Sequence, residues 1–356
     1  MHTKQELISL ISKSHLDEDT IKELETIITI DRKKINILSE YLEKLGFSKY
    51  LKIARDLCEI DENSIYFCIP ILNLENIKDL KQFNLYDHCV SLGLKIKKEA
   101  FIYLLNLKPE SNKIIGKGES LIKILTKGTS TIKGDIKLPS SKIVEIKFNK
   151  SRIRGMFGYP GDASQVSEKL DTLFSQECYN IGGQEWYEDS LSFFEDSSNN
   201  GHWNFVSSKR EKTYLLEDMI EYFGISPEKA IDMFVDSFKE YFIKASKIEL
   251  QELKNSLLQE FDKFNKKKIF KIEGESYSTF IFKMCAFALK YYQKVEQFDD
   301  LLFIKEDFNC MLIKKDFIKN ENLKTIAKFI RNNMKIGTPD LSDKAGPQGS
   351  AFSLYI

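Results

Sequence analysis

Apolar residues recur every three or four positions through Ile21–Ile30 and Ile35–Leu45, the spacing that lays one helical stripe against a core. Gly46, directly after Leu45, predicts a helix C-cap, and Asp17 with Thr20 predicts a helix start. Residues 1–107 therefore read as a helical N-terminal domain. Only Ile65–Leu74, interrupted by Pro70, departs from that spacing and predicts a short strand or an irregular connection. The pattern changes after the turn-rich Lys108-Pro109-Glu110-Ser111-Asn112. Glu119–Thr126 keeps helical spacing behind Gly116 and Gly118. Thr131–Leu138 and Lys142–Phe148 instead alternate apolar and polar, and Pro139-Ser140-Ser141 between them predicts a β-hairpin.

Residues 155–212 are rich in glycine, serine and acid, and predict one helix around Ser167–Phe174 within an otherwise loop-rich insertion. Long amphipathic helices return over 213–268, with Thr213 and Ser226-Pro227 as start signals. Ser276–Val295 is strongly apolar and predicts a central helix. Leu301–Ile304 and Cys310–Ile313 predict strands around Lys305-Glu306-Asp307, and Leu323–Asn332 a final helix. A glycine- and proline-punctuated tail leads to an edge strand, Ala351–Ile356. The pattern divides the chain into a helical domain (1–107), a core with an acidic insertion (108–212) and a mainly helical C-terminal region completing that core (213–356). The fold class is α+β.

Composition narrows the function classes. With 356 residues, 42% hydrophobic and 30% charged, the chain reads as an ordinary globular protein of two or three domains. Its longest apolar stretch, Phe280–Leu289, is interrupted by Lys283 and is too short to span a bilayer. The beginning, MHTKQELISLISKSHLDED, lacks the apolar block of a secretory signal, so an intracellular protein with no membrane partner is expected. Six cysteines without a CxxC pair, and four dispersed histidines, argue against a zinc ribbon or a disulfide framework. Buried thiols are the plain expectation.

Charge is sorted along the chain although it sums to zero. Residues 111–154 hold eleven basic residues against three acids, whereas residues 155–200 hold nine acids and only Lys169. The three acids of the basic segment are Glu119, Asp135 and Glu145. Phosphodiester hydrolysis needs a hard divalent cation on carboxylate oxygens and a positive group near the developing charge. Glu145 and Lys147 lie two residues apart on a predicted strand, so they share one face and Ile146 the other. The hairpin can carry Asp135 opposite them, and Glu119 opens the preceding helix.

This order, a helix with a glutamate, a strand with an aspartate and a strand with E-x-K, resembles the PD-(D/E)xK nuclease superfamily. More narrowly, Gly116-Lys117-Gly118-Glu119, Lys133-Gly134-Asp135-Ile136, Val144-Glu145-Ile146-Lys147 and Arg152-Ile153-Arg154-Gly155 are similar to nuclease-like virion structural proteins of large tailed phages. The proline that usually precedes the aspartate is absent, since Lys133-Gly134 stands there. The resemblance covers about 40 of the 356 residues. It implies a restriction-endonuclease-like core, Mg2+ (or Mn2+) held by Glu119, Asp135 and Glu145, and Lys147 supporting attack by water. It also implies DNA as partner and a location in the host cytoplasm or the virion. Lys150, Arg152 and Arg154 follow the second strand and are candidates for gripping the DNA backbone, because guanidinium groups pair with phosphate bidentately. The rival reading is a virion structural or interaction protein, partnered by other virion subunits or by itself, with a catalytically idle core. Gln184-Glu185-Trp186-Tyr187 reads as an exposed loop whose aromatics make a packing or partner contact, and Tyr291 and Tyr292 read as core.

Overall fold

The computed structural model describes residues 32–107, 117–149, 163–198, 206–207, 224–238, 242, 244–264, 270–272, 275–277, 279–337 and 353–356. The fold is mixed α+β, divided into two compact units. The first comprises Met1–Lys78, Phe83–Lys142 and Asp307–Asn309, and the second Asp79–Gln82, Ile143–Glu306 and Cys310–Ile356. Among the described residues, no helix is long and apolar enough to cross a membrane. The helix expected over Ile21–Ile30 and the Thr213 start lie outside the described residues.

In the first unit come α1 (residues 32–44), α2 (Tyr50–Ile60), a 3-10 segment (Glu62–Cys68), β1 (Gln82–Asn84), α3 (Leu85–Ser91) and α4 (Lys98–Leu105). They are followed by α5 (Glu119–Thr126), β2 (Thr129–Ser130) and β3 (Ile136–Lys137). The helical stripe of α1 buries Leu38 and Leu42, and Gly46 ends it at φ +79°, a conformation glycine adopts without a Cβ penalty. Ile65–Leu74 forms no strand. Buried Asp61 caps the 3-10 segment by accepting from the Asn63 N–H (2.9 Å), and also accepts from the Lys97 N–H (2.6 Å). α5 has the bounds its spacing predicts, set by Gly118 at φ +88° and by Lys127 at φ +55°. Gly128 permits a close approach, because a Cβ there would meet Ile136 Cγ2 at 2.2 Å.

Only part of Thr131–Leu138 is strand. Residues 132–135 bend, with Gly134 at φ +62°, and β3 keeps just Ile136 and Lys137, paired antiparallel with β2. Alternation alone does not reveal a bend that a glycine allows. The turn at Pro139-Ser140-Ser141 forms where expected. Leu138 N–H donates to the Lys142 carbonyl (2.8 Å) and Ser141 N–H to that of Leu138 (2.9 Å).

The second unit contains β4 (Ile143–Phe148), α6 (Ala163–Ser198), β5 (Val206–Ser207), α7 (Pro227–Phe238), α8 (Lys247–Phe264), β6 (Phe270–Ile272) and β7 (Glu275–Tyr277). α9 (Thr279–Glu296), β8 (Asp300–Ile304), β9 (Asn309–Lys314), α10 (Lys315–Asn320), α11 (Leu323–Asn333), β10 (Lys335–Gly337) and β11 (Ser353–Tyr355) complete it. β4 runs parallel to β8, with Glu145 opposite Leu301 and Lys147 opposite Phe303, and β8 is antiparallel to β9. All five residues of β8 are buried, as befits a strand covered on both faces. α9 is the expected central helix, buried almost continuously from Phe282 to Tyr292. Even Lys283 is only 4% exposed, its ammonium donating to Ser256 Oγ at 2.9 Å. β11 pairs with β10 at the chain end.

The acidic insertion is not loop-rich over 163–198. α6 fills that span and is broken at Gly183 (φ +72°, ψ −155°). Ser190 Oγ donates to Ser175 Oγ at 2.9 Å, and the Tyr179 and Tyr187 rings meet edge-on at 6.3 Å. Contacts between residues equidistant from the break show that the helix folds back on itself as a two-helix hairpin. The Gly182-Gly183 pair, which reads as loop, is its turn. Glu185, Glu188 and Asp189 are exposed, while Phe174, Cys178 and Ser190 are buried. Trp186 is accordingly on a helix rather than in an exposed loop, and it packs on the core.

Candidate active site

Glu145 and Lys147 come from the middle of β4, and the pleat places both side chains on one face. Lys147 Nζ lies 2.6 Å from Glu145 Oε1. Glu145 is 5% exposed, so this is a desolvated ion pair and not a surface one. The hydroxyl of Tyr292, a buried residue one turn before the end of α9, donates to the same Oε1. The Tyr292 ring also lies beneath the ammonium, with Lys147 Nζ 5.0 Å from its centroid. One tyrosine thus supports both members of the pair.

One helical turn after Tyr292 stands the partly buried Glu296. Burial pushes its carboxyl above the usual glutamate range and the charge of Glu145 adds to the effect, against Lys147 and Lys244. Tyr292 and Glu296 were not visible as site residues in the sequence. A tyrosine and a glutamate four residues apart near the end of an apolar helix are too ordinary a pattern to single out, and only packing against β4 gives them meaning.

The other expected site residues are placed as follows. Glu119 lies in the first turn of α5, and Asp135 sits on the bend immediately before β3, not within the strand. Both belong to the first unit, whereas Glu145 and Lys147 belong to the second. Near Glu119, burial pulls the Lys123 ammonium below the usual lysine range, with the Glu119 charge opposing. Lys123 donates to Ser130 Oγ at 2.9 Å. Among the described residues, no group of three or more histidine, cysteine, aspartate and glutamate side chains is assembled to hold a metal ion. Lys150, Arg152 and Arg154 lie outside the described residues. All six cysteines are free thiols, four of them buried, and burial pushes Cys89 up to about 12.

Chemically, the cluster offers a hard carboxylate oxygen, a fixed cation beside it and a phenolic donor. No family model, curated protein or solved structure matches the chain.

Proposed function

We propose that the protein is a Mg2+-dependent nuclease acting on DNA, built on a restriction-endonuclease-like core of the PD-(D/E)xK type and encoded by a tailed phage. One juxtaposition supports this reading: a carboxylate and an ammonium 2.6 Å apart on one face of a strand that has a parallel neighbour. Lys147 would place its charge beside the phosphoryl oxygens as negative charge grows on them. Lys150, Arg152 and Arg154 would grip the flanking backbone, and Tyr292 would hold Glu145 and Lys147 in register. Glu119, Asp135 and Glu145 are hard oxygen donors of the kind Mg2+ (or Mn2+) accepts, and an ion held there would lower the pKa of the attacking water. Their gathering around one ion is part of the proposal.

A second reading is favoured by a separate observation. Glu145 is 5% exposed and its Oε1 already accepts from both Lys147 and Tyr292. A carboxylate so engaged suits a scaffold. In that reading the chain is a virion structural or interaction protein, bound to other virion subunits or to itself, with an idle core.

Supercoiled plasmid incubated with Mg2+ or Mn2+ separates the two. Cleavage by the wild type that falls at least about a hundredfold in Asp135→Asn, with the fold checked by circular dichroism, supports the nuclease. A folded wild type that cuts no form of DNA with either metal rejects it and leaves the structural reading.

A further inference from the structure

A cavity of about 320 Å3 opens within the second unit, between α8, α9, α10 and the start of α11. Its volume is at the small end of the range of ligand pockets, roughly 300–1,000 Å3. Phe287, Tyr291, Ile318 and Leu323 are buried core residues that also line it, so the floor is aromatic and aliphatic. The rim is charged, and its charges are not equally committed. Glu249 is held by Lys294 at 2.7 Å. Although burial works to raise the Glu249 carboxyl, the bonds from Lys294 and Ser246 outweigh it and hold the group below its ordinary range. That pair is closed. Lys290 and Lys319 also line the cavity, and neither makes an ion pair among the described residues. One further acid, Glu252, stands against these two cations. Leu323 is the first residue of the eleven-residue α11 and lines the cavity, so the positive end of that helix borders it.

We propose that this cavity binds a small amphipathic anion: an aromatic or branched aliphatic body on the Phe287–Tyr291–Ile318 floor, with one carboxylate, phosphate or sulfonate at Lys290 and Lys319. The floor removes the body from water, and the two lysines with the helix end select the charge. An apolar compound without the anionic head leaves those cations with water only, and so binds more weakly. The site is independent of the Glu145–Lys147 pair and does not rest on the nuclease reading.

The test is calorimetric titration of the full-length protein with naphthalene-1-acetate and with its neutral analogue naphthalene-1-acetamide. The acetate is expected to bind one per chain, at least about tenfold more tightly than the amide, a difference of about 1.4 kcal/mol. Lys290→Gln with Lys319→Gln should bring acetate affinity down to that of the amide. Leu323→Trp, which fills the cavity, should abolish both. Thermal melts establish that each variant is folded, and Lys319→Gln alone, at an exposed position, keeps the test valid if another variant fails to fold. Absence of acetate binding to the wild type at millimolar concentration, equal affinity for acetate and amide, or affinity unchanged by the lysine substitutions overturns the proposal.

Discussion

Glu145 and Lys147 would be an ordinary same-face pair on an exposed strand, worth under about 1 kcal/mol. Burial changes the energetics, because removing one partner then leaves a charge without compensation. Lys147→Met is expected to cost about 3–5 kcal/mol in urea denaturation. The double change Glu145→Leu, Lys147→Met should cost less than Lys147→Met alone, since no charge stays buried. Tyr292→Phe keeps the ring beneath the ammonium and removes only the bond to Glu145, an expected loss of about 1.5–3 kcal/mol. Glu296 supplies a pH test. Its native pKa is raised, first by burial and then by Glu145, so the native state holds that proton more tightly than the unfolded chain does. Stability therefore falls as pH rises from the ordinary glutamate range through the raised native value. Glu296→Gln has no charge to bury. Its melting temperature should exceed that of the wild type at neutral pH, and the advantage should vanish as pH drops into the ordinary glutamate range. The E-x-K spacing was legible at this scale, because a strand has a fixed side-chain period. Tyr292 was not, because its partner is 147 residues away.

At the scale of elements, local signals worked where one residue type has one physical use. Ser226-Pro227 starts α7, with Ser226 Oγ accepting from the Lys229 N–H at 3.3 Å. Gly118 and Lys127 bound α5 within the span its apolar spacing marks. Gly182-Gly183 misled for the same reason: two glycines end a helix, but they do not say whether the chain returns as helix or as loop. The answer depends on whether the two arms can bury a common face, as Phe174, Cys178 and Ser190 do. Gly183 therefore has a sharp expected phenotype. At φ +72° and ψ −155° a Cβ is strained, and Gly183→Ala should cost about 1–3 kcal/mol. Far-ultraviolet circular dichroism through a urea titration reads this as an earlier loss of helix. An unchanged midpoint would mean that the hairpin turn does not need glycine.

Across the whole molecule, the two units are not consecutive stretches of chain. Asp307–Asn309, between β8 and β9, belongs to the first unit. There Phe308 is 0% exposed, with its ring 5.9 Å from that of Phe101 and 6.3 Å from that of Tyr86. Its carbonyl accepts from the Leu85 N–H at 2.8 Å. A fragment of residues 1–142 lacks this residue and is expected to show no cooperative thermal transition. In the full chain, Phe308→Ala should cost about 3–5 kcal/mol by urea denaturation. A cooperatively melting 1–142 fragment would show that Phe308 is dispensable. The sequence by itself determined the mixed α+β class, the bounds of α5, β4 and α11 to within a residue, the presence of α9 though not its start, since Ser276 and Tyr277 belong to β7, and the pairing of Glu145 with Lys147. Each of these follows from a repeat of 2 or 3.6 residues, or from a cap, within a short stretch of chain. Tertiary structure alone decided the burial of that pair, its engagement by Tyr292, the helical hairpin of α6 and the membership of Phe308 in the first unit. These depend on which apolar faces meet, and contacts between residues far apart in sequence leave no local period to read.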